Sequence, residues 1–166
     1  MINNFNSCIE SIVKKHFFIE DIKDKEPAEI KYTDGEFEVI NHTNSPIDFL
    51  KIDSCIYSSG DTTRSDCAVY DNDTFCFIEL KCIKPKNFAK KRREAEDQLE
   101  ATIRDFKDKE IIKGKNLEAY VCSNCIIKVN AKYESITKQP RNKDQETNFL
   151  FNLKTKLYYA TKKEFY

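Results

Sequence analysis

Apolar residues at Phe5, Ile9, Ile12, Val13 and Phe17 recur at helical spacing, so residues 5–17 are expected to open the chain as an amphipathic helix. After the turn signal Asp34-Gly35 the period shortens. Residues 36–43 and 47–57 are rich in β-formers and are separated by Asn44-Ser45-Pro46, which predicts a hairpin. A second hairpin is expected from 66–70 and 75–82, joined by Asp71-Asn72-Asp73-Thr74, because Asn and Asp tolerate the positive φ of a tight turn. With Asn72-Asp73 as its two-residue loop, Tyr70 faces Phe75, Val69 faces Cys76 and Asp66 faces Glu79. Alternation then puts Lys81 on the face of Glu79 and turns Cys76, Ile78, Leu80 and Cys82 to the other.

A second helix is expected from about Asn87, with Ala95, Leu99, Thr102, Ile103 and Phe106 on its core face. It leads to a strand-like run over 117–127, so strand, helix and strand follow in the order of a right-handed crossover between parallel strands. The expected class is therefore α/β, a mixed central β-sheet flanked by α-helices. Residues 138–146 read as a polar loop, and 149–159 with the tail as closing strand material.

The length of 166 residues suits a single domain over 1–166, and 40% hydrophobic with 12% aromatic content is too apolar for a disordered chain. Neither a membrane-length apolar run nor a signal-peptide pattern is present, which predicts a cytoplasmic protein without a membrane partner. The 28 basic residues cancel the 28 acidic ones, so any nucleic-acid surface must be local. Seven irregularly spaced cysteines argue against a disulfide framework and for small buried thiols. The three isolated glycines exclude G-x-G-x-x-G and P-loop nucleotide sites.

Candidate chemistry lies in the second hairpin. Asp66 and the Glu79-Leu80-Lys81 run bring two carboxylates and an ammonium to one end of it. Like charges so placed cost stability unless a cation offsets them, and magnesium suits one or two carboxylates with water and phosphate oxygens completing its shell. A lysine beside such a site can orient the attacking water, which is the chemistry of phosphodiester hydrolysis.

The segment Arg64-Ser65-Asp66-Cys67-Ala68-Val69-Tyr70, the apolar strand ending Phe77-Ile78-Glu79-Leu80-Lys81, and Gln98-Leu99 in the next helix resemble the PD-(D/E)XK superfamily of restriction-endonuclease-like nucleases. Ser65 stands where the proline that names the motif would be. The resemblance implies a restriction-endonuclease-like core in which Asp66 and Glu79 bind Mg2+ (or Mn2+ in its place), Lys81 is the catalytic lysine and Gln98 lines the site. It implies DNA before RNA as substrate, and a bacterial or phage-related role in defence or DNA processing. One active site cuts one strand, so a homodimer would serve double-strand cleavage, and a partner protein could supply targeting.

Two further acids are candidates. Glu10 flanks the first apolar stripe but also fits a capping box with Ser7, and Asp53 would approach from the preceding strand. Lys84, Lys86, Lys90, Lys91, Arg92 and Arg93 form a basic block after Lys81. It reads either as a phosphate contact at a helix N-terminus or as a solvated face countered by Glu94, Glu96 and Asp97. The basic residues of 138–143 carry less weight, and Cys122-x-x-Cys125 lacks two further ligands at zinc-like spacing. A non-catalytic restriction-fold module binding nucleic acid or a partner protein is the competing reading. It would keep the fold and the basic helix but hold no metal.

Overall fold

The computed structural model describes residues 5–21, 26–58, 63–81, 85–123, 127–129, 132–134 and 141–166. A 3-10 turn (Phe5–Cys8) leads into strands β1 (Ile9–Ile12), β2 (His16–Glu20), β3 (Glu29–Lys31), β4 (Phe37–Asn41), β5 (Ile47–Lys51), β6 (Cys67–Tyr70) and β7 (Thr74–Leu80). A second 3-10 turn (Pro85–Asn87) precedes helix α1 (Phe88–Asp108) and β8 (Asn116–Cys122). There follow β9 (Ile127–Val129), β10 (Lys132–Glu134), helix α2 (Lys143–Leu153), β11 (Thr155–Tyr159) and β12 (Lys162–Phe165). The class is mixed α/β, as the order of patterns predicts.

A six-stranded sheet, β1-β5-β6-β7-β8-β11, forms the middle layer. Strands β7, β8 and β11 run parallel, while β1, β5 and β6 join antiparallel. Residues 75–80 are buried without interruption because both faces of β7 are covered. On one face Phe75 and Phe77 pack with Ala95, Leu99, Ile103 and Phe106 of α1. On the other, Cys76, Ile78 and Leu80 meet Phe17, Ile19, Phe37 and Val39 of a four-stranded sheet, β12-β4-β2-β3. The central sheet is thus covered by helices on one face and by a second sheet on the other, which corrects the expectation of flanking helices alone.

Four local expectations also change. The expected helix over 5–17 is a 3-10 turn followed by β1 and β2. Phe17 and Ile19 alternate with His16, Phe18 and Glu20, a period of two that wins once β4 is available to pair with β2. The first hairpin is not formed, because β4 pairs with β2 and β12 whereas β5 pairs with β1 and β6. Asn41 fixes the passage between the sheets: its Nδ2 donates to Ser45 O at 2.8 Å and its Oδ1 accepts from Thr43 N at 2.9 Å. Of the expected loop, Lys143 and the residues after it are already helical, and α2 runs on to Leu153 before β11 begins. Asn142 caps it by accepting from Gln145 N.

The cysteine expectation is corrected as well. Cys8 and Cys55 form a disulfide, whereas Cys67, Cys76 and Cys122 are the buried thiols foreseen. Pairing β1 with β5 brings together two cysteines 47 residues apart, a proximity that spacing does not encode. No described helix is long and apolar enough to cross a membrane.

Candidate active site

The β6–β7 hairpin has the register expected from its turn: Tyr70 faces Phe75, Val69 faces Cys76, Ala68 faces Phe77 and Cys67 faces Ile78. Asp71 sets it, its Oδ1 accepting from Asp73 N at 2.9 Å and Thr74 N at 2.7 Å. One step beyond the ladder Asp66 lies across from Glu79. Its Oδ2 accepts from Leu80 N at 2.6 Å, and its carbonyl accepts from Ile52 N at 3.0 Å and Asp53 N at 3.1 Å.

Glu79 is 0% exposed, and Lys81 Nζ lies 2.7 Å from its Oε1. Lys81 and the Asp66 backbone N–H both act on the Glu79 carboxylate, but neither contact is well oriented. A buried carboxylate left so incompletely satisfied is costly, and it marks a place where another partner fits. Burial pushes Glu79 up to about 7 although Lys81 pulls it down. Burial, and next the Glu79 charge, raise Asp66 well above the usual carboxylate range. Burial acts to lower Lys81, but the Glu79 charge and hydrogen bond, with the charges of Asp66 and Glu94, together outweigh it and hold the ammonium above its ordinary value.

Helix α1 fixes the segment before Asp66. Gln98 Nε2 donates to Arg64 O at 2.9 Å, and Thr102 Oγ1 accepts from Ser65 N at 2.8 Å while donating to Gln98 O. The structure therefore brings Asp66, Glu79, Lys81 and the Gln98 backbone clamp to the same end of the sheet.

Sequence reasoning missed the contribution of the second sheet. Asp21, just after β2, adds its negative charge to those acting on Asp66, Glu79 and Cys67. Its N–H donates to Glu36 Oε2 at 2.9 Å, and Glu36 is itself pushed up to about 7, by burial first and then by the charges of Asp21 and Glu20. The period-two run through 16–20 was the signal that could have found Asp21. Among the described residues no group of three or more His, Cys, Asp or Glu side chains is placed to hold a metal ion. Asp66 and the fully buried Glu79, whose charge acts on it, are the residues that would hold a hard cation taking its remaining oxygens from water and phosphate. Compared with protein-family models, with curated proteins and with solved structures, the chain matches none.

The other candidates fall differently. Glu10 is exposed on β1 and is no helix cap; its register through Phe49 and Val69 to Cys76 puts it on the face opposite Glu79. Asp53 meets Asp66 through its backbone N–H, and its Oδ2 accepts from Ser54 Oγ at 3.4 Å. Lys91, Arg92 and Arg93 pair with Glu94, Glu96 and Asp97 at 2.7, 3.5 and 3.0 Å, so half of the basic block is the countered face. Lys86 and Lys90 are exposed beside the start of α1, while Lys84 lies outside the described residues. Cys122 is buried and donates to Glu36 O at 3.3 Å; Cys82 and Cys125 lie outside the described residues.

Proposed function

We propose that this chain is a metal-dependent nuclease with a restriction-endonuclease-like core, hydrolysing phosphodiester bonds of nucleic acid and DNA in preference to RNA. The observation that carries the reading is Glu79, a fully buried carboxylate set across a hairpin from Asp66 and paired with Lys81 through poorly oriented contacts. An arrangement so poorly matched to folding alone is the kind that functional sites retain.

Magnesium, or manganese in its place, would be held by Asp66 and Glu79 and would supply neutralising charge at the phosphate and a more acidic water. The chain's own residues do the rest. Asp66 is oriented by the Leu80 N–H, and its backbone is held from one side by Ile52 and Asp53. Lys81 stays protonated beside Glu79 and can orient the attacking water or donate to a non-bridging phosphate oxygen as charge develops there. Gln98 and Thr102 keep the approach to Asp66 from shifting. Lys86 and Lys90 are available to phosphates flanking the scissile bond. One such site cuts one strand, so a double-strand break requires a homodimer or two encounters.

The test is incubation of purified protein with plasmid, single-stranded DNA and RNA in magnesium, manganese or chelator, beside Glu79→Gln and Lys81→Ala. Metal-dependent cutting lost in both variants, by about a hundredfold or more, supports the reading. Nucleic-acid binding with no cutting, and no effect of metal on the thermal midpoint, would replace it with the binding module. The closed Glu79–Lys81 pair is the feature that favours that alternative.

A further inference from the structure

We propose that the Cys8–Cys55 disulfide is a redox-sensitive clamp on the Asp66 segment, and that its reduction weakens divalent-cation binding there. The second clause rests on the nuclease reading. The first stands on geometry alone.

Cys55 sits in a tight turn in which Ile56 N and Tyr57 N both donate to Ile52 O, at 3.1 and 3.2 Å, and Asp53 bridges to Tyr57. Ser54 within it has φ 58°, a left-handed conformation that a residue with a Cβ adopts at a cost and keeps only when its surroundings hold it. The same turn begins with the two N–H groups, Ile52 and Asp53, that support the carbonyl of Asp66. Its far end is held by Tyr57, whose hydroxyl donates to Asp105 and whose ring lies 4.4 Å beneath the Arg64 guanidinium. The turn is also tied through Cys55 to the buried Cys8, at the end of the opening 3-10 turn and 47 positions earlier in the sequence. The covalent link, the strained turn and the backbone rest of Asp66 are therefore consecutive parts of one contact chain.

Reactivity is asymmetric. Cys8 is 1% exposed and Cys55 is half-buried, so an external thiolate reaches the Cys55 sulfur and expels Cys8 as the thiolate. The second thiol of a dithiol reductant then attacks its own sulfur in the mixed disulfide and releases Cys55. Two electrons pass from the dithiol, which ends as a cyclic disulfide, and its two protons go to the cysteine thiolates. Cys67, Cys76 and Cys122 are buried, which concentrates the redox sensitivity of the described cysteines at this bond. With the crosslink gone the Ser54 turn can relax, and the two N–H groups beneath Asp66 open more often.

The test compares the full chain, oxidised and after dithiothreitol, with a Cys8→Ser/Cys55→Ser double variant, thiol content being counted in each. Amide exchange at Ile52 and Asp53 is expected to quicken about tenfold or more on reduction and in the variant, while Phe77 and Ala119 in the central sheet change little. Manganese affinity, read by calorimetry, is expected to fall about tenfold in the same two states, and the variant should ignore dithiothreitol. Unchanged exchange at Ile52 and Asp53 overturns the clamp, as does equal quickening across the central sheet, which would mean general destabilisation. Local quickening with equal manganese affinity overturns the regulatory clause. Local quickening with no manganese binding in any form upholds the clamp and sinks the nuclease reading instead.

Discussion

Glu79 carries a pH dependence whose sign follows from where its proton sits. Its pKa in the folded chain is about 7 against an ordinary 4.5, so between those values the unfolded chain has lost a proton that the folded one keeps. The stability this contributes is fully present below 4.5 and is lost as pH rises to about 7. The loss is on the order of 3 kcal/mol, and it levels off above that window. Asp66 and Glu36, both raised, act in the same direction. Denaturant unfolding of Glu79→Gln over this pH range should therefore show a shallower decline than the native chain without becoming flat. At pH 8 manganese should raise the thermal midpoint of the native chain and leave that of the variant in place. A decline equally steep in the variant would remove Glu79 from the account. This residue, with Asp66 and Lys81, was legible from E-x-K spacing and the Asp71–Thr74 turn, because a two-residue loop sets every pair above it. Its complete burial was not legible, since that depends on α1 and the second sheet closing over β7.

At the scale of elements, α1 matters to the site through bonds to a backbone rather than through the apolar stripe that announced it. Thr102 reads in sequence as one more core position. In the structure it is buried, accepts the Ser65 N–H at 2.8 Å and returns its own proton to Gln98 O. A proline at 65 would have no N–H to give to that bond. Thr102→Val keeps the volume but strands the Ser65 N–H, and should cost about 1–3 kcal/mol in denaturant unfolding; Thr102→Ser should recover most of it. Equal stability in the two variants would show that the hydroxyl does not anchor the segment. The start of the same helix yields a second expectation, for nucleic-acid binding. Since Lys91, Arg92 and Arg93 are engaged by acids one turn on, a Lys86→Gln/Lys90→Gln variant should lower the slope of log affinity against log salt by about 2 for duplex DNA. Arg92→Gln should change the slope less and stability more, because Arg92 lies against the buried Glu96. The sequence offered both readings of this block; side-chain pairing along the helix puts Lys91, Arg92 and Arg93 on the countered face.

Across the whole molecule, one sheet serves two cores, and this is what the sequence concealed most. The alternation in β7 correctly sent Cys76, Ile78 and Leu80 to the face away from Glu79, yet what would cover them could not be read, because the cover comes from strands outside the hairpin, one of them, β12, at the far end of the chain. Strand β12 reaches β4 across more than a hundred residues, and His42 meets Glu164 there at 3.0 Å. Gly35 is part of the same assembly: a Cβ at that position would lie 2.6 Å from the Cβ of Phe18. The second sheet is therefore a local set of strands, β2 to β4, completed by the distant β12, and with it comes Asp21, whose charge acts on Asp66 and Glu79 from outside the hairpin. Glu10, the acid that sequence proposed for this role, lies on the edge strand β1, with β5 and β6 between it and β7. The two can be separated by one measurement, manganese affinity by calorimetry at pH 8. Asp21→Asn removes a negative charge that a bound cation would feel through partly hydrated space, so affinity should fall on the order of a few-fold. Glu10→Gln should leave it unchanged, and raising the salt concentration should narrow the gap between Asp21→Asn and the native chain, since Asp21 is exposed. The reverse pattern, with Glu10→Gln weakening the affinity and Asp21→Asn silent, would mean that the second sheet covers the core without taking part in the site.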